Sequence, residues 1–396
     1  MMTDTPGPCR YAPTRAAMFV GASHYRRPSY GANHPLAIPR VSLAFDLVIA
    51  YGALDQAEFV PSRAAAVSEL TRFHTPDYVQ ALKRAEAFGR VRAEDRARHQ
   101  LGTLENPYFP GLFYTPALAT GGSIMAAELV LKGRNAFSPA GGMHHAAPDQ
   151  ARGFCYFNDI VLAILRLRAE GRRVLYLDID AHHGDGVEAA FWDDASVMTV
   201  SLHMDTSYAY PFRGGACQDE GGPHAPGAAL NVPLPKGTSD AEYRQVFESL
   251  WDPVVDRFRP DVVVLQTGTD ALFGDPLGRF LLSTAGFLAI VERVVGTGIP
   301  VLATGGGGYH PLLLARAWTG VWALLSGRDL PVALPEAASA ALRAVGWCED
   351  EDEPYYENLF RDRLEYGEER PVRPVIHELI QSLAHHSGLK RRLWAS

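Results

Sequence analysis

One apolar run ends in a density of ionisable residues that packing does not call for. It reads Val174-Leu-Tyr-Leu-Asp178-Ile-Asp180-Ala-His182-His183-Gly184-Asp185-Gly186. In an extended chain alternate side chains share a face, so Asp178, Asp180 and His182 are expected on one side and His183 on the other. Carboxylates and an imidazole gathered at a strand end suit a divalent transition metal. Four further apolar runs end in the same manner: Gly141-Gly-Met-His144-His145, Ser201-Leu202-His203, Gln266-Thr-Gly-Thr-Asp270 and Gly305-Gly-Gly-Gly-Tyr309. Asp180, His182 and Asp270 would make a three-ligand set with open positions for water and substrate. Their summed charge nearly neutralises Zn²⁺, leaving a Lewis acid that activates water. His144 and His145 can take a proton from that water and hand one to a leaving amine. Asp178 and Asp185 are candidates to hold the imidazoles' other nitrogens. Tyr309, on a glycine-rich turn, can donate to a developing oxyanion.

The elements that must position these residues alternate between strand and helix. Strands are expected at Ala16–Gly21, Ala136–Ser138, Val174–Asp180, Val197–His203, Asp261–Gln266 and Ile299–Thr304. Helices are expected at Pro39–Tyr51, Thr75–Phe88, Thr115–Lys132, Asn158–Ala169, Val187–Trp192, Asp240–Phe258, Thr284–Val295 and Leu312–Leu325. Thr75-Pro76-Asp77 supplies an N-cap, a first-turn proline and an acidic residue. Residues 89–110 and the Gly/Pro stretch up to Ala229 read as loops. Strands each followed by a helix imply a mostly parallel sheet covered on both faces, and in such sheets function collects at the carboxyl ends of the strands.

Bulk properties narrow the class. The chain has 396 residues, 47% of them hydrophobic, enough for an ample core. No window reaches the ~18 apolar residues of a membrane span, and Met1–Arg10 lacks a signal-peptide plan, so a cytoplasmic protein is expected. A net charge of −8 disfavours nucleic acid as a partner. Cys9, Cys155, Cys217 and Cys348 are scattered, which excludes a disulfide framework or a cysteine-zinc site. The His-rich segment His24–His34 reads as a structural loop. The expected organisation is a loose N-terminus (1–15) and a single domain (16–396), with its motif core at 16–327 and a C-terminal extension at 331–396. The extension carries an acidic run, Glu349–Glu353, and a basic run, Lys390–Arg392, both read as solvated surface.

In these residues the chain resembles the histone deacetylase superfamily. The resemblance is carried by Gly141-Gly-Met-His144-His145-Ala, Gly153-Phe154-Cys155-Tyr156-Phe157-Asn158-Asp159, Asp178-Ile-Asp180-Ala-His182-His183-Gly184-Asp185-Gly186, Gln266-Thr-Gly-Thr-Asp270…Gly274-Asp275-Pro276 and Gly305-Gly-Gly-Gly-Tyr309. They occur in the family's order, and the branch most resembled is the bacterial acetoin-utilisation type, related to the class I deacetylases.

The resemblance implies an arginase/deacetylase-like three-layer α/β fold and hydrolysis of an N-acetyl amide. Zinc is implied on Asp180, His182 and Asp270, with Fe²⁺ able to replace it. His144 is paired with Asp178 and His145 with Asp185, His145 being the general base and acid, and Tyr309 polarises the carbonyl. Phe154 and Tyr210 are implied as walls of an acyl-lysine tunnel, with Gly153, Leu277 and Gly307 beside the substrate and Glu105 as a rim carboxylate holding substrate backbone. Arg40 corresponds to an acetate-channel arginine. A structural K⁺ is implied at Asp178, Asp180, His182, Ser201 and Leu202. The implied partner is an acetylated protein, acetyl-CoA synthetase being one candidate, or a small acetylated amine such as an acetylpolyamine. The sequence departs from the family's pattern at Met143, Ala209-Tyr210, Glu105 and His310, none of them a metal ligand. A two-metal ureohydrolase of the same fold would need further aspartates around Asp270.

Overall fold

Among the described residues, eight strands form one sheet in which every pairing is parallel. They are β1 (Ala17–Gly21), β2 (Phe59–Pro61), β3 (Asn135–Ser138), β4 (Val174–Asp178), β5 (Val197–Met204), β6 (Ala229–Leu234), β7 (Val262–Gln266) and β8 (Val301–Thr304), in the order β2-β1-β3-β8-β7-β4-β5-β6. The computed structural model describes residues 15–27, 30–31, 34–347, 359–360, 370–386 and 389. The expected loose N-terminus lies outside these residues apart from Arg15, as do Cys9, Cys348 and both charged runs of the C-terminal extension.

The central strands are aliphatic throughout because both faces are covered. Leu175, Leu177, Val263, Leu265, Val301 and Ala303 pack on one face, against α1 (Arg40–Ala50), α8 (Asp240–Phe258), α9 (Thr284–Val295) and α10 (Pro311–Ser326). Their neighbours Val174, Tyr176, Val262, Val264 and Leu302 pack on the other, against α5 (Tyr114–Leu131), α6 (Asp159–Arg168) and α7 (Asp185–Phe191). This is the three-layer arrangement expected. A third cluster, under α2 (Val67–Leu70) and α3 (Pro76–Phe88), covers α5 and α6 from outside, and α4 (Ala93–His99) packs beside α3. In α10, Trp318 and Trp322 are both fully buried, and their indole N–H groups donate to Thr267 O (2.9 Å) and Ala53 O (2.5 Å). Removing either should cost roughly 3–5 kcal/mol.

Several elements differ from expectation. β2 is three residues ending in proline, and β6 contains Asn231 and Pro233. Both are edge strands, where proline is tolerated and the sequence signal is weak. The charged segment after residue 89 contains α4, stabilised by Glu94 and Asp95 at its start and Arg98 and His99 at its end. In the C-terminal extension, α11 (Glu336–Arg343) and α12 (Pro374–Leu383) pack onto the first face through Ala338, Leu342, Ile376 and Leu383. Arg373 then clamps Glu242 of α8 with two parallel bonds of 2.6 and 2.7 Å.

Register sets the stage for the site. Ser138, Thr304, Gln266, Asp178 and Ser201 stand in one row across five adjacent strands. β4 continues to β5 on one side, while β7 continues to β8 on the other, so connections diverge from the β4/β7 boundary. Such a reversal opens a crevice beyond the strand ends.

Candidate active site

Asp180 and His182 leave β4, and Asp270 leaves β7, on the two sides of that crevice. The strand stops at Asp178, two residues earlier than expected, because the chain then turns through its own carboxylates. Asp178 Oδ1 accepts Asp180 N–H at 3.1 Å and Asp180 Oδ1 accepts His182 N–H at 2.9 Å. This separates Asp178 from the other two, which the extended-chain reading had placed together. His182 Nδ1 lies 3.2 Å from Asp180 Oδ1 and 2.9 Å from Asp270 Oδ2. His183 faces away, as expected, against His203 and Glu188.

The donor set fits a divalent cation. One ligand atom from each of Asp180, His182 and Asp270 lies within 4.8 Å of the others, and all three residues are buried. Burial opposes charge on His182, yet Asp270 and Asp180 overcome it and lift the imidazole well above its ordinary value. Asp270 is pushed up to about 7 by its own burial and by the charge of Asp180. A pocket that draws protons this strongly is short of positive charge. Backbone closes around it: a Cβ on Gly307 would stand 2.1 Å from Asp270 Oδ2, and one on Gly268 2.0 Å from Asp180 Oδ2.

Two histidines approach from the loop after β3. His144 Nδ1–H donates to Asp178 Oδ2, His145 Nδ1–H donates to Asp185 Oδ1, both at 2.8 Å, and the two Nε2 atoms are 2.9 Å apart. Burial opposes charge on His144, but Asp178 and Asp180 outweigh it and raise the imidazole to about 9. Burial and the charge of His144 push His145 down to about 4, against the pull of Asp185. The pair is thus split into a proton holder and a neutral acceptor, as acid–base chemistry requires. Tyr309 is buried beside Asp270 and Asp180, and both burial and those charges keep its phenol protonated, a hydrogen-bond donor.

These groups open onto a cavity of about 310 Å³ lined by Glu105, His145, Gly153, Phe154, His182, Tyr210, Leu277 and Tyr309. Tyr210 meets His145 edge-on at 4.8 Å, and Phe154 meets Tyr309 at 5.9 Å. Gly153 passes so close to His145 that a Cβ would stand 2.2 Å from its ring. Glu105 Oε1 accepts from Gly153 N–H and from the Tyr210 hydroxyl, so this oxygen braces the tunnel wall. Arg40 is placed elsewhere. It donates to Gly306 O (2.7 Å) and Gly308 O (3.2 Å) and lines a second cavity of about 550 Å³ with Met143. His34 and His24 serve structure, through Leu36 N–H and Thr115 Oγ1. Burial pushes the Cys155 thiol up, which removes it as a nucleophile.

A histone deacetylase domain matches residues 34–325. The chain belongs to the histone deacetylase family. It is 40% identical to human histone deacetylase 1 over 311 residues, covering 77% of this chain and 64% of the human protein. Identity to yeast (Saccharomyces cerevisiae) histone deacetylase RPD3 is also 40%, over 315 residues, 76% of this chain and 71% of the yeast protein. The crystal structure of a deacetylase homologue from Aquifex aeolicus superposes with a TM-score of 0.89 at 39% identity, over 93% of this chain and all of that one. The arginase/deacetylase fold expected from the motifs is the fold observed.

Several positioning residues carried no assigned role in the sequence. Gln266 Nε2–H donates to Asp180 Oδ2 at 2.7 Å, while its Oε1 accepts Gly268 N–H. Asp275 accepts the N–H groups of Tyr309 and His310 on one oxygen and of Leu277 and Gly278 on the other. Asp159 accepts from Gly142 N–H, Met143 N–H and Ser123 Oγ–H, and the Asn158 amide donates to His144 O and Ala146 O. For Gln266, Asn158 and Asp159 the signal was a polar residue at the end of an apolar strand or the start of an apolar helix.

Proposed function

We propose that this protein is a metal-dependent lysine deacetylase that removes acetyl groups from Nε-acetyl-lysine in proteins. The observation that carries the reading is the convergence of a three-donor cation cradle, a charge-split histidine pair and a protonated tyrosine on one aromatic-walled cavity. Zn²⁺ is the proposed ion, with Fe²⁺ the alternative that metal analysis would reveal. Bound at Asp180, His182 and Asp270, it would supply Lewis acidity toward water and the amide carbonyl. His145, neutral and held by Asp185, takes the proton of the attacking water. The pair then returns a proton to the departing lysine amine. His144, held by Asp178, keeps positive charge beside the collapsing tetrahedral carbon. Tyr309 donates to the carbonyl oxygen as negative charge develops there. Phe154 and Tyr210 flank the methylene stem and exclude water, with Gly153, Gly307 and Leu277 completing the walls. Glu105 serves through the wall it braces, with its second oxygen toward substrate backbone. Arg40 draws the acetate product into the second cavity. A K⁺ is proposed at Asp178, Asp180, His182, Ser201 and Leu202; Asp178 and Ser201 are register neighbours across β4 and β5.

A polyamine substrate would bring free ammonium groups to the entrance and need exposed carboxylates there. The entrance carries Arg279 beside a single carboxylate, Glu105, one of whose oxygens is taken up by Gly153 N–H and the Tyr210 hydroxyl. The test is turnover by the metal-reconstituted protein of an acetyl-lysine peptide against acetylputrescine, with acetylated acetyl-CoA synthetase as the first protein substrate. Peptide turnover that falls on the order of a hundredfold in Tyr309→Phe is expected. Preference for acetylputrescine, or an unchanged rate in Tyr309→Phe, would overturn the reading.

A further inference from the structure

Phe212 stands at the mouth of the catalytic cavity with two features that the fold does not require. It is a large aromatic left 66% exposed, and its backbone is left-handed, at φ 59°. Glycine adopts that conformation freely, whereas a residue with a Cβ adopts it at a cost. Neither core burial nor backbone preference accounts for a phenylalanine here, and strain of this kind persists where something else uses the side chain. The segment is held rigidly. Phe212 N–H donates to Ala209 O, Thr206 Oγ1–H donates to Gly214 O at 2.7 Å, and His203 Nε2 bonds Gly215 O at 3.1 Å. The ring meets Tyr210 edge-on at 6.3 Å, so its free face continues the aromatic wall of the cavity outward. Leu104 (96% exposed) sits beside Glu105 of the same rim.

The next residue adds a charge. Arg213 has a side chain 59% exposed, and Nη2 lies 3.5 Å from Asp185 Oδ2, the oxygen not engaged with His145. The guanidinium is otherwise exposed to solvent, one residue beyond Phe212 of the cavity lining. Arg279 lines the entrance as well, together with the carboxylate Glu105, on a chain whose net charge is −8.

We propose that Phe212 and Arg213 read the residues flanking the acetyl-lysine, Phe212 taking an apolar or aromatic side chain and Arg213 favouring an acidic over a basic neighbour. This rests on the deacetylase reading above and narrows its substrate to polypeptide segments that are apolar and neutral-to-acidic around the modified lysine. An aromatic contact at the edge of such a site is worth roughly a tenfold change in affinity. The charge preference should shrink as salt is raised, since the guanidinium is solvated.

The test is kcat/KM of the metal-loaded protein on acetyl-lysine hexapeptides that differ only in the residue just before or just after the acetyl-lysine: Phe, Gly, Glu or Lys. Wild type should favour Phe over Gly about tenfold at one of these positions, and Glu over Lys severalfold. Phe212→Gly should bring the Phe/Gly ratio to within about twofold of unity while keeping or raising Tm, because glycine suits φ 59°. Arg213→Glu should reverse the Glu/Lys ratio. Turnover without dependence on the neighbours, or a dependence that both variants retain, overturns the rim assignment alone. No turnover of any acetyl-lysine peptide, with acetylputrescine hydrolysed or not, overturns both it and the deacetylase reading.

Discussion

Gly307→Ala isolates the cation cradle from the rest of the protein. Gly307 N–H donates to Asp180 Oδ2 at 2.8 Å, so its backbone sits against one proposed ligand. A methyl group there would stand 2.1 Å from Asp270 Oδ2 and 2.9 Å from Asp180 Oδ2. A carbon and an oxygen normally stay at least about 3.3 Å apart, so the Asp270 carboxylate must retreat by about 1 Å. Ligand positions tolerate only about 0.2 Å, and even indirect disturbance of a ligand costs 10–100-fold in affinity. Divalent-metal affinity, measured by competition with a chromogenic chelator, should therefore fall a hundredfold or more. The φ of Gly307 lies outside the left-handed region, so alanine adopts the local backbone without penalty and restricts the unfolded chain. The metal-free variant should thus keep its Tm within a few degrees of metal-free wild type. Metal affinity within about threefold of wild type would refute the geometry, because Asp270 would then have been free to move without leaving the ligand set.

Two more outcomes are expected. Asp159→Asn replaces one accepting oxygen by a donor facing the N–H groups of Gly142 and Met143; it should lower kcat at least tenfold with metal affinity unchanged, and unchanged kcat would show that the His144–His145 loop holds itself. His74 is buried, donates from Nδ1 to Pro148 O and accepts Asn158 N–H on Nε2, and burial pushes it from 6.5 down to about 4. Between those values the unfolded chain binds a proton that the folded chain refuses, so folding stability falls as pH drops through that window, by about 3 kcal/mol from this group. Urea unfolding at pH 4 to 7 should show His74→Gln with a slope shallower by about one proton; an equal slope would exclude His74 as its source.

Legibility from the sequence followed the strength of each local pattern. The central strands were readable because both faces are buried and the residues are accordingly aliphatic without a break, as in Val262–Leu265. The helix after Thr75 was readable from its cap, and Thr75 Oγ1 does accept Tyr78 N–H. β2 and β6 were not, because an edge strand gains little from its own residues and takes its hydrogen bonds from a neighbour distant in sequence. The candidate donors Asp180, His182 and Asp270, which the fold brings within 4.8 Å of one another, were visible in the sequence, but the divergence of Asp178 was not. That divergence comes from side-chain-to-backbone bonds that end the strand at Asp178, which alternation alone cannot show. Asp275 illustrates the opposite limit. It stands 34 residues from Tyr309 and holds that residue's N–H at 2.6 Å, a relation that exists only once β7 and β8 are adjacent.

The buried carboxylates explain why this end of the sheet is built from glycine-rich turns. Asp159, Asp178, Asp180, Asp270 and Asp275 are each at most 6% exposed, and an unpaired buried charge is among the costliest features a fold can carry. Three of them are answered within the chain. Asp159 and Asp275 are ringed by N–H groups, which only tight turns can aim at one oxygen pair. Asp178 faces His144 and the Tyr176 hydroxyl. Asp180 receives Gln266, His182 N–H and Gly307 N–H, and Asp270 receives Ala181 N–H, but both also point an oxygen at the one imidazole between them. One imidazolium cannot balance two carboxylates, so the charge left over is concentrated at a single point of the crevice. The turns that satisfy the other carboxylates also keep backbone, rather than side chains, around that point. Cation binding and folding are thereby coupled at this end of the sheet: a cation that enters stabilises the folded chain by RT ln(1 + [M]/Kd), and any change that relaxes the cradle loses affinity before it loses the fold.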